Sequence, residues 1–107
     1  MYEPGLDRHE WETELEQLEP TLEDDPAGAL PELADLVERM LVSRGYDLDE
    51  PVTRAGAERD VVAEYLAARE LADVVETGER PDPGDLGQAI QGLLAVFETL
   101  IAERAAP

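Results

Sequence analysis

The chain contains no cysteine and no lysine, and its 107 residues include a single histidine, His9. Without cysteine there can be no disulfide, no thiolate nucleophile and no zinc site of the cysteine type. Catalysis by lysine or by paired histidines is excluded in the same way, and no glycine-rich loop precedes a lysine as phosphate binding requires. We therefore predict that the protein is not an enzyme, has no catalytic residues and holds no cofactor.

Long apolar runs are also missing. The longest apolar stretch, residues 86–102, is interrupted by Gln88, Gln91 and Glu98, which makes it too short and too polar for a membrane span. The first twelve residues contain neither the basic region nor the apolar region of a signal peptide. We therefore expect a cytoplasmic protein that has no membrane partner.

Acidic residues are abundant. The sequence has 27 aspartates and glutamates against 8 arginines, a formal net charge of −19. Such a surface repels nucleic acid and attracts basic proteins and cations. Two explanations stay open: adaptation of the whole surface to a salt-rich cytoplasm, where ions screen the repulsion between carboxylates, or a specific binding role.

The spacing of apolar residues predicts an all-α fold. Steps of three and four residues recur along the chain, and no segment alternates with the period of a strand. The length suits one domain, so we predict a compact bundle of four helices over residues 1–107. Its parts are an acidic N-terminal helix and turn (1–25), a helical core (26–104) and a tail (105–107).

Capping residues and breakers indicate the helix boundaries. The first helix is predicted over residues 7–19, with Asp7 as N-cap and Pro20 as the interruption. Asp25 and Pro26 predict the start of the second helix, whose firm part is residues 31–43 after Pro31. The other predicted features are a stop at Gly45, a third helix to about residue 76 with a stop at Gly78, and a fourth helix from residue 83 or 85 to about 104.

The predicted fourth helix has two opposite seams. Its large residues form an inward seam that consists of Leu86, Ile90, Leu93, Phe97 and Leu100. Its small residues form a second seam about 200° away, made of Gly92, Ala95, Thr99 and Ala102. Either another helix of the chain covers the small seam, which would make this helix central, or the seam is a homodimer interface. Four apolar residues outside the main stripe of the third helix favour the dimer: Val62, Leu66, Leu71 and Val74.

The first helix carries a dense run of carboxylates, with no arginine between residues 10 and 25. Like charges four residues apart each cost a few tenths of a kcal/mol in an isolated helix. Salt or a basic partner would offset that cost. We therefore predict that this acidic face binds a basic protein partner through Glu10, Glu12, Glu14, Glu16, Glu19, Glu23, Asp24 and Asp25.

Attractive pairs are spaced four residues apart on the next two helices. Asp35 precedes Arg39 on the second, and Arg69 precedes Asp73 on the third. We expect these surfaces to be solvated.

Two metal-binding patterns are incomplete. Part of a calcium-loop pattern is present at Asp47, Asp49, Thr53 and Glu58, but Val52 occupies the place of the obligatory glycine. The carboxylate–histidine pairs of a metal-binding bundle are missing, because no glutamate stands three residues before His9. We therefore predict no metal site.

Three functional hypotheses follow from these patterns. The leading one is a non-catalytic acidic helical protein that acts by protein–protein association, as a self-associating bundle or an accessory subunit. The alternative is an acidic mimic of nucleic acid that occupies a basic site on a DNA- or RNA-binding protein. The third is a carboxylate metal-binding bundle.

Overall fold

Four α-helices make up the structure, a computed structural model that describes residues 4–46, 48 and 57–102. They are α1 (Pro4–Asp24), α2 (Pro26–Ser43), α3 (Ala57–Glu76) and α4 (Pro83–Ala102). No strand occurs within the described residues. The predicted all-α bundle of four helices is confirmed.

The second helix is the centre of the bundle. It packs closely against each of the other three helices, and α3 also packs against α4. Helix α1 has its close contacts with α2. The structure is thus a three-helix core with the acidic helix added on one side, and the helix that meets all the others is α2 rather than α4.

Both helices of the core that begin with proline have an aspartate cap. The Asp25 carboxylate accepts a hydrogen bond from the Gly28 backbone N–H at 3.1 Å, with Pro26 in the first turn. In the same way Asp82 Oδ1 accepts from the Gly84 N–H at 2.7 Å, just before α4 begins at Pro83. A proline in the first turn costs no helical hydrogen bond, because the N–H groups there have no acceptor within the helix. An aspartate followed by a proline is therefore a strong signal for the start of a helix.

Glycines end two of the helices. Gly45 after α2 and Gly78 after α3 have φ angles of 88° and 92°. Residues with a Cβ rarely adopt this left-handed conformation, which turns the chain out of the helix. Both predicted stops are confirmed.

Helix α1 differs from the prediction at both ends. It begins at Pro4 rather than at an Asp7 cap, and it continues through Pro20 to Asp24. Proline removes one helical hydrogen bond, but its φ angle is compatible with a helix. Leu18 and Leu22, on either side of Pro20, both pack against the core, and this burial supports the helix across the proline. Pro31 likewise lies inside a continuous α2. The predicted end of α4 at residue 104 lies outside the described residues.

The core is apolar throughout the described residues, with no buried polar or charged residue among them. Helix α2 contributes eight buried residues, and α3 contributes Tyr65, Ala68, Ala72 and Val62. Val62 is fully buried and Leu66 and Leu71 pack partly against the core, so these three off-stripe residues of α3 are used inside the chain. Among the described side chains, Val42 is the single large hydrophobic that is exposed, at 60%.

A contact between Trp11 and Arg44 joins three helices at one end of the bundle. Trp11 of α1 is buried, and the Arg44 guanidinium lies 5.4 Å from the centroid of its ring. Arg44 follows the last residue of α2, and its Nη2 donates a hydrogen bond to the Leu100 carbonyl of α4 at 3.0 Å. Cations are favourable near carbonyls at helix C-termini and over tryptophan rings, so this contact stabilises the seating of α1.

Replacement of Pro20 by alanine should stabilise the protein. Alanine restores a backbone donor inside α1, and we expect the free energy of unfolding in urea to rise by about 1–3 kcal/mol. The control is Pro83→Ala, because Pro83 occupies the first turn of α4, where proline is favoured. We expect no gain in the control, and a loss of stability in Pro20→Ala would contradict this account of α1.

Candidate protein-binding surface

The structure leaves most of the predicted acidic face of α1 open to solvent. Glu12 and Glu14 are half-buried, and the remaining six residues of that face are exposed. Two of the eight have structural roles inside the chain: Glu14 binds Arg39, and Asp25 caps α2. Glu12 lies 3.9 Å from Arg8 Nε, a long and exposed ion pair that contributes little to stability.

Arg39 of α2 binds Glu14 of α1 with both ends of its guanidinium. Its Nη1 and Nη2 donate to the two Glu14 carboxylate oxygens at 3.1 Å and 2.6 Å. This hydrogen-bonded pair raises the pKa of Arg39. The sequence spacing had favoured Asp35 as the partner of Arg39, but the neighbouring helix supplies an acid that both guanidinium nitrogens can reach.

A second cluster joins α2 and α3. The Tyr65 hydroxyl donates a hydrogen bond to Glu38, and Arg69 Nε donates to the same hydroxyl at 3.1 Å. Arg69 Nη2 also donates to Asp35 at 2.7 Å and to Glu38 at 3.3 Å. Arg69 thus reaches across to α2, where the sequence spacing had favoured Asp73 on its own helix. The cluster fixes the register of α3 against α2.

The pKa values of this cluster follow from burial and hydrogen bonding. Burial raises the pKa of Tyr65 to about 12, and the bond that its hydroxyl donates to Glu38 acts in the same direction. Burial lowers the pKa of Arg69, but the hydrogen bonds to Tyr65 and Asp35 outweigh this effect and the pKa is raised. The phenol and the guanidinium therefore both keep their protons in neutral solution.

The arginines of the described residues are used mainly at contacts between helices. Arg39, Arg44 and Arg69 each bind groups on a neighbouring helix. Of the other arginines whose side chains the structure describes, Arg8 and Arg80 are exposed. The outward charge of the described part of the chain is therefore overwhelmingly carboxylate.

Four glutamates of α1 lie on one stripe. Glu12, Glu16, Glu19 and Glu23 follow one another at steps of four, three and four residues, and all are exposed or half-buried. At 1.5 Å per residue the stripe is about 16 Å long. We call it the carboxylate stripe.

An open groove runs between α1 and α4. Its volume is about 430 Å³. Apolar side chains form its floor, and Glu12, Glu19 and Glu98 line it together with Arg8. We call it the α1–α4 groove; its apolar residues are Leu15, Leu94, Phe97, Ile101 and Ala102.

The small seam of α4 is divided between the interior and the surface. Gly92 is buried under the Glu64 side chain of α3, whose carboxylate lies where a Cβ at residue 92 would be. Ala95, Thr99 and Ala102 are exposed, and the Thr99 hydroxyl donates to the Ala95 carbonyl at 3.0 Å. Another helix of the same chain therefore covers the seam at Gly92, whereas the other three residues of the seam stay uncovered.

The outward face of α4 is almost uncharged. From residue 87 to residue 102 its exposed residues include one charged side chain, Glu98. A third of all residues in the protein are charged, which makes this face an exception. We call it the α4 face; its residues are Gly87, Gln88, Gln91, Ala95, Glu98, Thr99 and Ala102.

The described residues contain no group of three or more histidine, aspartate or glutamate side chains placed to hold a metal ion. His9 is exposed on α1. The incomplete calcium-loop pattern lies outside the described residues at Asp47, Asp49 and Thr53, as does the side chain of Glu58. Within the described ranges, no helix is both long enough and apolar enough to cross a bilayer.

No known protein family, characterised protein or solved structure matches this chain. The functional argument therefore depends on the geometry of the described surfaces. These surfaces are the carboxylate stripe, the α1–α4 groove and the α4 face.

The Tyr65 cluster predicts a loss of stability in alkali. The folded-state pKa of Tyr65, about 12, lies above the ordinary value near 10, so its contribution is complete below pH 10 and disappears as the pH rises towards 12. We expect Tyr65→Phe to be less sensitive to pH than the unchanged protein across this interval. Urea unfolding at several pH values measures the difference, and parallel curves for the two proteins would contradict the role of Tyr65.

Proposed function

We propose that this protein is non-catalytic and acts by association with other protein chains, first of all with a second copy of itself through the α4 face. The observation that carries the proposal is the near absence of charge from this exposed face in a chain of net charge −19. The face carries one carboxylate, Glu98, whereas association elsewhere would bring more carboxylates together or bury them unpaired, which is costly. A cytoplasmic location stays a prediction.

The side chains of the α4 face suit close contact between helices. Ala95 and Ala102 are small and lose no rotamer freedom on burial. The Thr99 hydroxyl already has an acceptor in its own helix, so burial leaves it satisfied. Two copies of α4 that cross at Ala95 would form a twofold interface, the commonest symmetry of homo-oligomers.

Long-range repulsion opposes such a dimer. Each copy carries a net charge of −19, and this repulsion weakens as added salt shortens the screening length. The dimer should therefore tighten with increasing salt. This dependence has the opposite sign to that of binding between acidic and basic proteins.

Sedimentation of Ala95→Glu tests the self-association. In the dimer, the new carboxylate at the centre of the α4 face would be buried against the same carboxylate of the second chain. We therefore expect the dimer to be at least about tenfold weaker. The matched control is Ala63→Glu, which adds the same charge at an exposed position of α3 and should leave the dimer unchanged. An unchanged protein that sediments as a monomer at high micromolar concentration and high salt would refute the proposal.

The carboxylate stripe favours a second candidate, an acidic mimic of nucleic acid. All four glutamates of the stripe are exposed or half-buried, and the weak contact of Glu12 with Arg8 leaves them open to a partner. Arg39, Arg44 and Arg69 bind groups on neighbouring helices rather than the stripe. A basic site on a DNA- or RNA-binding protein would meet regularly spaced negative charge. Such binding weakens as salt increases.

Competition with a labelled DNA duplex for a basic DNA-binding protein tests the mimic. We expect the unchanged protein to displace the duplex, and Glu16→Gln, Glu19→Gln and Glu23→Gln together to reduce displacement by roughly tenfold. The control removes three exposed charges from other surfaces by Glu70→Gln, Asp73→Asn and Glu79→Gln. Equal loss in both variants would show that net charge alone acts, and would contradict recognition by the stripe.

A further inference from the structure

We propose that the α1–α4 groove is a docking site for an amphipathic helix with basic flanks, supplied by a partner protein. This inference rests on the proposed function, since it names the chemistry of a partner for a protein that acts by association. The groove shares Glu98 and Ala102 with the α4 face but does not include Ala95, so variants of Ala95 allow the two surfaces to be tested separately.

The floor of the groove is apolar and incompletely covered. Leu15 of α1 and Leu94 and Ile101 of α4 are half-buried, although all three pack against the core. The gap exists because α1 and α4 both pack against α2 instead of closing on each other. Burial of the exposed parts of these side chains under a partner would be favourable.

The dimensions of the groove suit a short helix. Its lining residues on α1 extend from Arg8 to Glu19, about 16 Å at 1.5 Å per residue. This length corresponds to about three helical turns. A helix that presents apolar residues at steps of three and four could cover the floor in the way helices bind grooves elsewhere.

Charge selects the kind of helix. Glu12 and Glu19 line the groove from α1, and Glu98 lines it from α4. A helix that lies between them would have carboxylates on both sides. Arginine or lysine residues beside its apolar stripe could therefore form ion pairs with these carboxylates. A second copy of this chain fits poorly, because the described side chains include no pair of exposed arginines beside an apolar stripe.

Arg8 supplies a competing cation. It lines the groove and lies 3.9 Å from Glu12, with both side chains about half exposed. Such a pair is weak and exchanges readily with other partners. A basic helix would therefore replace Arg8 at Glu12, and loss of Arg8 should favour docking.

The test uses a synthetic helical peptide of about 15 residues, with leucines at steps of three and four and arginines on both flanks, followed by fluorescence anisotropy. Glu12→Gln, Glu19→Gln and Glu98→Gln together should weaken binding by roughly tenfold or more. The charge-matched control is Glu70→Gln, Asp73→Asn and Glu79→Gln, which lie outside both the groove and the carboxylate stripe and should change binding by less than about twofold. Circular dichroism verifies that both variants keep their helices.

Arginine variants give a change of opposite sign. Arg8→Gln should tighten binding of the peptide by about two- to fivefold, because the competitor at Glu12 is lost. Arg80→Gln removes the same charge from the connection before α4 and should have a smaller effect. Equal effects in each matched pair, or equal binding of a peptide with glutamine in place of arginine, would overturn the proposal.

Failure of this proposal is distinguishable from failure of self-association. Ala95→Glu should weaken the dimer at least about tenfold and leave binding of the peptide within about threefold, because Ala95 does not line the groove. If the protein dimerises but the groove variants leave binding of the peptide unchanged, the docking site is refuted and self-association is not. A monomer whose peptide binding depends on them would refute self-association and support the docking site.

Discussion

Burial of α2 is the constraint on which the rest of the structure depends. Eight of its 18 residues are buried, and its apolar residues contact helices on several sides. A helix this apolar has to be covered, and the other three helices provide the cover. Their positions are therefore set by α2 more than by one another, which leaves α1 and α4 apart and creates the groove between them.

Arginine fixes the helices around this centre. Arg39 holds α1, Arg69 holds α3, and Arg44 contacts both Trp11 of α1 and the end of α4. In a chain with 8 basic residues against 27 acidic ones, positive charge is scarce. Because these arginines bind groups on neighbouring helices, they fix the orientation of helices that otherwise pack through apolar side chains. The charged groups that remain on the outer surface are then mostly carboxylates.

Local signals in the sequence were sufficient for the start of α2 and for the ends of α2 and α3. The Asp25–Pro26 start and the stops at Gly45 and Gly78 depend on backbone conformations that few other residues supply. The path of α1 through Pro20 could not be predicted in this way, because tertiary burial of Leu18 and Leu22 outweighs a local breaker. Spacing along the sequence indicates where an isolated helix would begin and end, and tertiary packing then determines which of these boundaries the folded chain adopts.

The candidate surfaces were predictable to different degrees. The carboxylates of α1 and the small seam of α4 follow from spacing along one helix, although Gly92 proved to be covered by Glu64 of another. The ion pairs of Arg39 and Arg69 are formed across helices, so i,i+4 spacing indicated the wrong acids. The α1–α4 groove has no signal in the sequence, because it arises from the space between two helices that are distant along the chain.

The attachment of α1 to one main neighbour has a thermodynamic consequence. A helix with repelling carboxylates, an internal proline and most of its close contacts with α2 should open at a lower free energy than the mutually packed α2, α3 and α4. Any molecule bound in the α1–α4 groove would become the second neighbour of α1. Binding in the groove and local unfolding of α1 are therefore linked equilibria. Because α1 forms one wall of the groove, a bound molecule stabilises the folded α1 and reduces its local unfolding.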